Sequence, residues 1–538
     1  MALTELNGDQ AFAWGALACG VKLVTSYPGS PSSGTVEELI KLAGKHDIYV
    51  EWSTNEKVAM EVGIGASIAG CRALVCTKSV GMNVMIDPLM ALNLTPVKGG
   101  LVILLGDDPG GYSSQNDQDT RQIAQMLEMP VIEPAAPAEA YEMIQEAFRI
   151  SEQLNSVVII RETRSFTQQL EQVSMANEPY PQVNLGFKRE PFRFVPVPLN
   201  AVGKHKELHD RLIQLGRWAD GLHYNRIDGA GDYGIVGVGF AYRKIMDVLG
   251  DQSRQDVRLL KLSSIYPLPK KVISGFFSVC RKILVFEENE PFVEIHIKAL
   301  AHDLGFAGRV YGKQSNNVHR EGELYRWQIT EALSGYLPGF TPAGKFLEEN
   351  EAQERPDKES HCRGCGYGEI LDKLEAAAES TGQKLAVIGD PGCLVTVAER
   401  LDAKFAIGSA VGVADGLSKA GCGERAVAVF GDSSFFHTTI PAICNAVSNR
   451  SDILMVVLDN KSSAASGHQT NPGVAKDAMG RETTALSIEK IARACGVRSV
   501  FSVGLEDIDS QLPGLFRDVL GSRELTMIII QTPVPVHS

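Results

Sequence analysis

Two short apolar runs near the end of the chain, each closing on an oxygen-bearing residue, restrict the fold more than any other feature. Residues 426–430 lead into Gly431-Asp432-Ser433-Ser434, and residues 453–458 lead into Asp459-Asn460-Lys461-Ser462. Such runs read as strands buried on both faces, and the stretch between them has room for one helix. Parallel neighbours need a crossover of roughly a dozen residues or more, which this spacing supplies. Asp432 and Asn460, 28 positions apart, therefore fall at the same edge of one sheet.

A carboxylate, an amide oxygen and a backbone carbonyl, that of Ser462, are the hard oxygen ligands that Mg2+ or Ca2+ takes, with phosphates completing the shell. The arrangement reads as a metal clamp for a diphosphate. Taken alone, the same two side chains also fit a turn carboxylate and a helix-capping amide, both common after strands.

At 538 residues the chain exceeds one hydrophobic core, so several domains are expected. Residues 21–25, 74–77, 101–105 and 157–160 read as strands, with helices such as 34–43 between them. A stretch rich in Pro, Phe and Arg, 178–199, reads as a linker to a second unit with strands at 233–238 and 283–286. A charged stretch, 348–359, leads to a third unit with strands at 385–388, 426–430, 454–458 and 527–530 and helices at 413–419 and 487–494. The expected class is α/β, with three doubly wound parallel-sheet domains over residues 1–180, 200–345 and 358–538.

A formal net charge of −13 argues against a nucleic-acid partner, since nothing forms a basic stripe that could displace counterions. The longest apolar runs, such as 101–105, fall far short of a membrane span, and the first twenty residues lack a basic stretch followed by an apolar one. A cytoplasmic location with no membrane partner is the expectation. Ten cysteines without regular spacing point to reduced thiols rather than a disulfide framework. Only Cys362-Arg363-Gly364-Cys365 has ligand-like spacing, which fits half a metal site, a redox pair or two incidental thiols.

A Gly-Asp pair at one strand end with an asparagine at the next resembles the signature of thiamine-diphosphate enzymes. Longer matches narrow the resemblance. They include Gly431 to Thr438, Asp459-Asn460 through Gly467-His468-Gln469, Thr25-Ser26-Tyr27-Pro28-Gly29-Ser30-Pro31-Ser32-Ser33 and Asp107-Asp108-Pro109-Gly110. Ser113-Ser114-Gln115-Asn116, Ile265-Tyr266-Pro267-Leu268-Pro269 and Glu287-Glu288-Asn289-Glu290-Pro291-Phe292 add to them. Together they resemble the alpha subunits of indolepyruvate ferredoxin oxidoreductases, within the 2-oxoacid:ferredoxin oxidoreductase family, over nearly the whole chain.

The resemblance implies a pyrimidine-binding-type first domain, a transketolase-C-like middle domain and a third domain that binds the diphosphate and its metal. It implies thiamine diphosphate held at Gly389, Asp390, Gly392, Gly408, Ser409, Ala410, Gly431, Asp432, Ser433, Ser434 and Asn460, with Mg2+ or Ca2+ on Asp432, Asn460 and Ser462. Glu56 matches the glutamate that activates the aminopyrimidine, which would put the active site between domains. His437 and His468 are candidates for proton or substrate handling, and Ser32, Ser33 and Lys78 for substrate binding. Read without the resemblance, Glu56 is a solvated helix residue, and the histidines and Lys78 fit hydrogen-bonded pocket positions equally well.

Cys362, Cys365 and Cys393 match three of the four cysteines that hold an iron-sulfur cluster in some relatives; three reduced structural cysteines are the alternative. The family's C-terminal ferredoxin-like segment finds no match through Ser538, and Ser79 and Tyr367 stand where the resembled subunits have histidines. The implied activity is oxidative decarboxylation of an aryl-pyruvate-like 2-oxo acid to an acyl-CoA. Its electrons would pass to a small beta subunit, ferredoxin or another carrier. Two alternatives stay open: a non-oxidative decarboxylase or carboligase, and a cofactor-binding scaffold.

Overall fold

The computed structural model describes residues 2–175, 185–250, 255–342, 365–421 and 423–533. The chain divides into two compact units, Met1–Val50 with Glu56–Lys358, and Glu51–Asn55 with Glu359–Ser538.

The first unit holds two large sheets. One has seven strands in the order Ser264–Tyr266, Val131–Ile132, Val158–Thr163, Leu101–Asp107, Ala73–Lys78, Leu23–Ser26 and Tyr49–Trp52. Its centre is parallel, Ala73–Lys78 pairing with Leu101–Asp107 and that strand with Val158–Thr163. Every residue of Leu101–Asp107 is buried, the pattern of a strand covered by helices on both faces. The second sheet runs Arg309–Tyr311, Lys282–Phe286, Tyr233–Val238, Val257–Leu262 and Arg226–Gly229, with only the last strand antiparallel.

Ser264–Tyr266, which directly follows the second sheet's Val257–Leu262, pairs antiparallel with Val131–Ile132 of the first. A buried polar network joins the same regions. Arg161 meets Asp107 at 2.6 Å, Glu133 at 2.7 Å and Asn289 at 2.7 Å, and Arg121 meets Glu287 at 2.7 Å. Buried charges persist only when paired in this way.

The second unit carries a six-stranded sheet in which every pairing is parallel. Its order is Ala403–Lys404, Leu385–Gly389, Arg425–Gly431, Leu454–Asp459, Thr526–Gln531 and Ser499–Val503. Val427, Val429, Val456 and Leu458 pack into a core on one face, and Ala428, Phe430, Met455 and Val457 into another. The α/β class expected from the sequence is what both units display. Among the described residues no helix is long and apolar enough to cross a membrane.

Candidate functional site

The site in the second unit follows from register. Gly431 pairs with Leu458, and Asp459 with Gln531, so Asp432 and Asn460 both emerge at the carboxyl edge of the sheet. The chain reverses its direction of sheet growth beside them, since Ala403–Lys404 lies on one side of Leu385–Gly389 and Arg425–Gly431 on the other. Such switch points leave a crevice at the carboxyl ends of parallel strands.

Asp432 and Asn460 are both buried, and the Ser462 backbone N–H joins them, donating to Asp432 Oδ2 at 3.1 Å and to Asn460 Oδ1 at 3.0 Å. Lys461 turns the chain in the left-handed region, φ 57°, which brings Ser462 back over its neighbours. The Asn460 amide donates to the Tyr367 hydroxyl at 3.3 Å, and the Asn471 amide donates to Asp432 Oδ2 at 2.8 Å. Ser433 and Ser463 pair through their hydroxyls at 2.8 Å. Ser462 Oγ is buried with no hydrogen-bond partner among the described residues.

Burial lifts the Asp432 carboxyl to about 7; Asn471 and the Ser433 and Ser462 amides oppose the rise, while the Asp459 charge adds to it. A carboxylate so placed gains from a divalent cation, which favours the ionised form. The donor set, all oxygen, fits Mg2+ or Ca2+ and would suit neither copper nor a thiolate-bound metal.

Asp390 stands at the end of the neighbouring strand. Its carboxylate accepts from the Gly408 N–H at 2.8 Å and the Ala410 N–H at 2.8 Å, and burial lifts it to about 6 against those bonds and one from Ser434. The helix expected from Val413 begins at Ala410, where Asp390 satisfies the first amide. Gly408, at φ +79°, has no room for a side chain: a Cβ would meet Thr438 Oγ1 at 2.0 Å. Gly392, by contrast, faces open space, and a Cβ on Gly431 would meet only the Leu458 carbonyl, at 4.0 Å. Ser409 Oγ is a second buried hydroxyl without a partner among the described residues.

His437 is buried on a single π-helical turn, Phe435–Thr439, with Nδ1 3.3 Å from Thr438 Oγ1. His468 is half-buried at φ 61°, inside a turn closed by pairing of Ser463 with Gln469. Asn471, Tyr367 and Ser463 have no place in the sequence reading as ligand-holding residues. Asn471 precedes Pro472-Gly473, a turn signal that masks any other role.

The remaining candidates lie in the first unit. Glu56 is buried at the start of the helix Glu56–Ile68, not solvated. It rests against Gly81, where a Cβ would come within 2.6 Å of Glu56 Oε1. Ser33 Oγ accepts from the Gly29 N–H at 2.7 Å and Ser32 Oγ donates to the Gly29 carbonyl at 3.2 Å, so both hydroxyls fasten the turn that carries them. Lys78 Nζ donates to the Ser113 carbonyl at 3.1 Å; burial draws Lys78 below its ordinary value, and Asp108 and Glu56 oppose this. Asp108 Oδ1 and Ser114 Oγ are buried with no partner among the described residues.

Cys362 lies outside the described residues. Cys365 is buried 3.8 Å from Thr396 Oγ1, and Cys393 packs against the same apolar cluster. No third metal-capable side chain joins them among the described residues.

Residues 14–194 match the family described as "Pyruvate flavodoxin/ferredoxin oxidoreductase, thiamine diP-bdg", and 378–530 match "Thiamine pyrophosphate enzyme, C-terminal TPP binding domain". Indolepyruvate oxidoreductase subunit IorA of Methanothermobacter marburgensis is 36% identical over 93% of this chain and 81% of its own. The IorA subunit of Thermococcus kodakarensis is 34% identical over 94% of this chain and 81% of its own. A solved 2-oxoglutarate:ferredoxin oxidoreductase from Magnetococcus marinus overlays in part, at TM-score 0.47 and 15% identity, over 62% of this chain and 65% of that one. On the strength of relatives that match it over nearly all of its length and of its two matched domains, the chain belongs to the indolepyruvate oxidoreductase subunit IorA family, thiamine-diphosphate-dependent oxidoreductases of 2-oxo acids.

Proposed function

We propose that this chain decarboxylates an aryl-pyruvate-like 2-oxo acid oxidatively to an acyl-CoA, together with a small beta subunit, and passes the electrons to ferredoxin. The observation that carries the metal site is the Ser462 amide drawing Asp432 and Asn460 together beside a hydroxyl with no partner among the described residues. When bound, thiamine diphosphate supplies the nucleophilic carbon and the electron sink that the decarboxylation requires.

The chain's own residues do the rest. Asp432, Asn460 and the Ser462 carbonyl would hold Mg2+ for the diphosphate, and Tyr367 and Asn471 keep the first two in position. Asp390 fixes the 408–410 turn, so that the neighbouring glycines leave backbone free for the cofactor. Glu56, a buried carboxyl, would hold or release a proton at its side chain toward the aminopyrimidine of a bound cofactor. Lys78 offers a cation to the substrate carboxylate, with Ser32 and Ser33 shaping the turn beside it. His437 and His468 handle protons in the second unit. Cys362, Cys365 and Cys393 remain candidates for a cluster.

Calorimetric titration of thiamine diphosphate tests the metal site. Asp432→Ala should weaken binding in Mg2+ by about 100-fold, at the upper end for loss of a metal-site group. Unchanged affinity and unchanged Mg2+ dependence would overturn the reading. Glu56→Gln should leave that binding within about tenfold, 1.4 kcal/mol, and abolish dye reduction by 2-oxo acid and CoA.

A further inference from the structure

Outside the site described above, one cluster of side chains among the described residues has the chemistry of a metal centre. His205 and His209 lie one turn apart on the helix Ala201–Gly221, and Glu128 faces both from the turn after the helix Arg121–Met126. All three belong to the first unit. The carboxylate divides its oxygens between the rings: His205 Nε2 is 3.2 Å from Oε2, and His209 Nε2 is 3.2 Å from Oε1. One ligand atom from each residue lies within 4.8 Å of the other two.

We propose that Glu128, His205 and His209 bind a divalent transition-metal ion of the zinc class. Histidines at i and i+4 share a helix face, the spacing that lets two imidazoles meet one ion. Ligands about 2.0–2.1 Å from a tetrahedral zinc stand roughly 3.3 Å apart, close to the nitrogen-to-oxygen distances seen here. Imidazole nitrogen favours zinc, nickel and copper over Mg2+, so this site and the oxygen-only site of the second unit select different ions.

The helix that carries the two rings is anchored to the body of the unit. Leu208, between the histidines on the same helix, is buried, and the Arg211 guanidinium donates to the Asn93 carbonyl at 2.6 Å. The ring centroids sit 4.3 Å apart. An ion between the two imidazole nitrogens and the carboxylate would satisfy all three ligands at once. The histidine side chains are 53% and 56% exposed, which gives the ion a way in and leaves a fourth position for water or an exogenous ligand. The bound ion would pin the helix Ala201–Gly221 to the turn that precedes the strand Val131–Ile132.

The test uses the full chain freed of metal with a chelator and titrated with Co2+ in excess Mg2+, which saturates oxygen-ligand sites. Wild-type protein should bind one more Co2+ than His205→Ala/His209→Ala, with visible bands of a nitrogen and oxygen site and no thiolate-to-cobalt charge transfer for that ion. Each single histidine variant, and Glu128→Gln as an independent third, should weaken Zn2+ at least tenfold by competition. Equal stoichiometry and affinity in wild type and the double variant, with matching melting curves in chelator, would overturn the proposal and leave the contacts as ordinary hydrogen bonds.

Discussion

Among the described residues, Glu162 is the one carboxyl group with neither oxygen hydrogen-bonded despite full burial of both. Burial together with the Asp9 charge holds the group well above its ordinary value. Burial lifts Asp9 to about 7, the Thr35 hydroxyl and amide oppose this, and the Glu37 and Glu38 charges add to it. A raised carboxyl favours the fold below its unfolded value, near 3.8 for Asp9, and that contribution is lost as pH climbs through about 7. Melting temperature should therefore fall between pH 6 and pH 8, and fall less in Asp9→Asn/Glu162→Gln. Roughly 1 kcal/mol moves the midpoint by about 2–4 °C in units this large, within reach of calorimetry. At the same scale, Asp432 and Asn460 were legible because strand ends are visible in an apolar run. Asn471 was not, since its bond to Asp432 crosses 39 positions of chain that no local pattern links.

Among the elements, the turn before the helix Ala410–Ala420 does most to shape the diphosphate site. Gly408 combines a left-handed backbone with contact against Thr438 Oγ1, which is itself committed to the Ile407 carbonyl at 2.9 Å. Gly408→Ala should cost about 2–4 kcal/mol and weaken thiamine diphosphate, because the strained backbone and the displaced threonine add. Adding Thr438→Ala should recover part of the stability, by removing the contact, and leave the backbone part; melting temperatures of the single and double variants read the split. Buried parallel strands were readable to within a residue or two, as at Tyr233–Val238 and Leu454–Asp459, since both faces demand apolar side chains. Ala2–Leu6 and Glu171–Met175 pair antiparallel in a two-stranded sheet and are too short and too mixed in composition to declare themselves. The helix Ala201–Gly221, mostly polar, was likewise missed.

At the scale of the whole molecule, the two units have separate cores, so a ligand of one need not stabilise the other. Inorganic pyrophosphate with Mg2+ has only the part of the cofactor that the second unit would grip. At 100 times its dissociation constant it should add about 2.7 kcal/mol to whatever binds it. Three of the four tryptophans, Trp14, Trp218 and Trp327, belong to the first unit. Calorimetry should therefore show one transition rising with pyrophosphate and Mg2+, while the main tryptophan fluorescence transition stays in place. A matching shift in both signals would contradict the assignment of the diphosphate site to the second unit.

The sequence alone determined the α/β class, the parallel pair that carries Asp432 and Asn460, and the family likeness, because burial on two faces and strand-end chemistry are written locally. Tertiary structure decided what those residues touch. The Ser462 amide between Asp432 and Asn460, the Asp390 carboxylate at the amides of Gly408 and Ala410, and Glu128 between His205 and His209 all depend on contacts made after the chain has folded back. Spacing along a chain sets which edge of a sheet a side chain reaches; only packing and register fix its partner there.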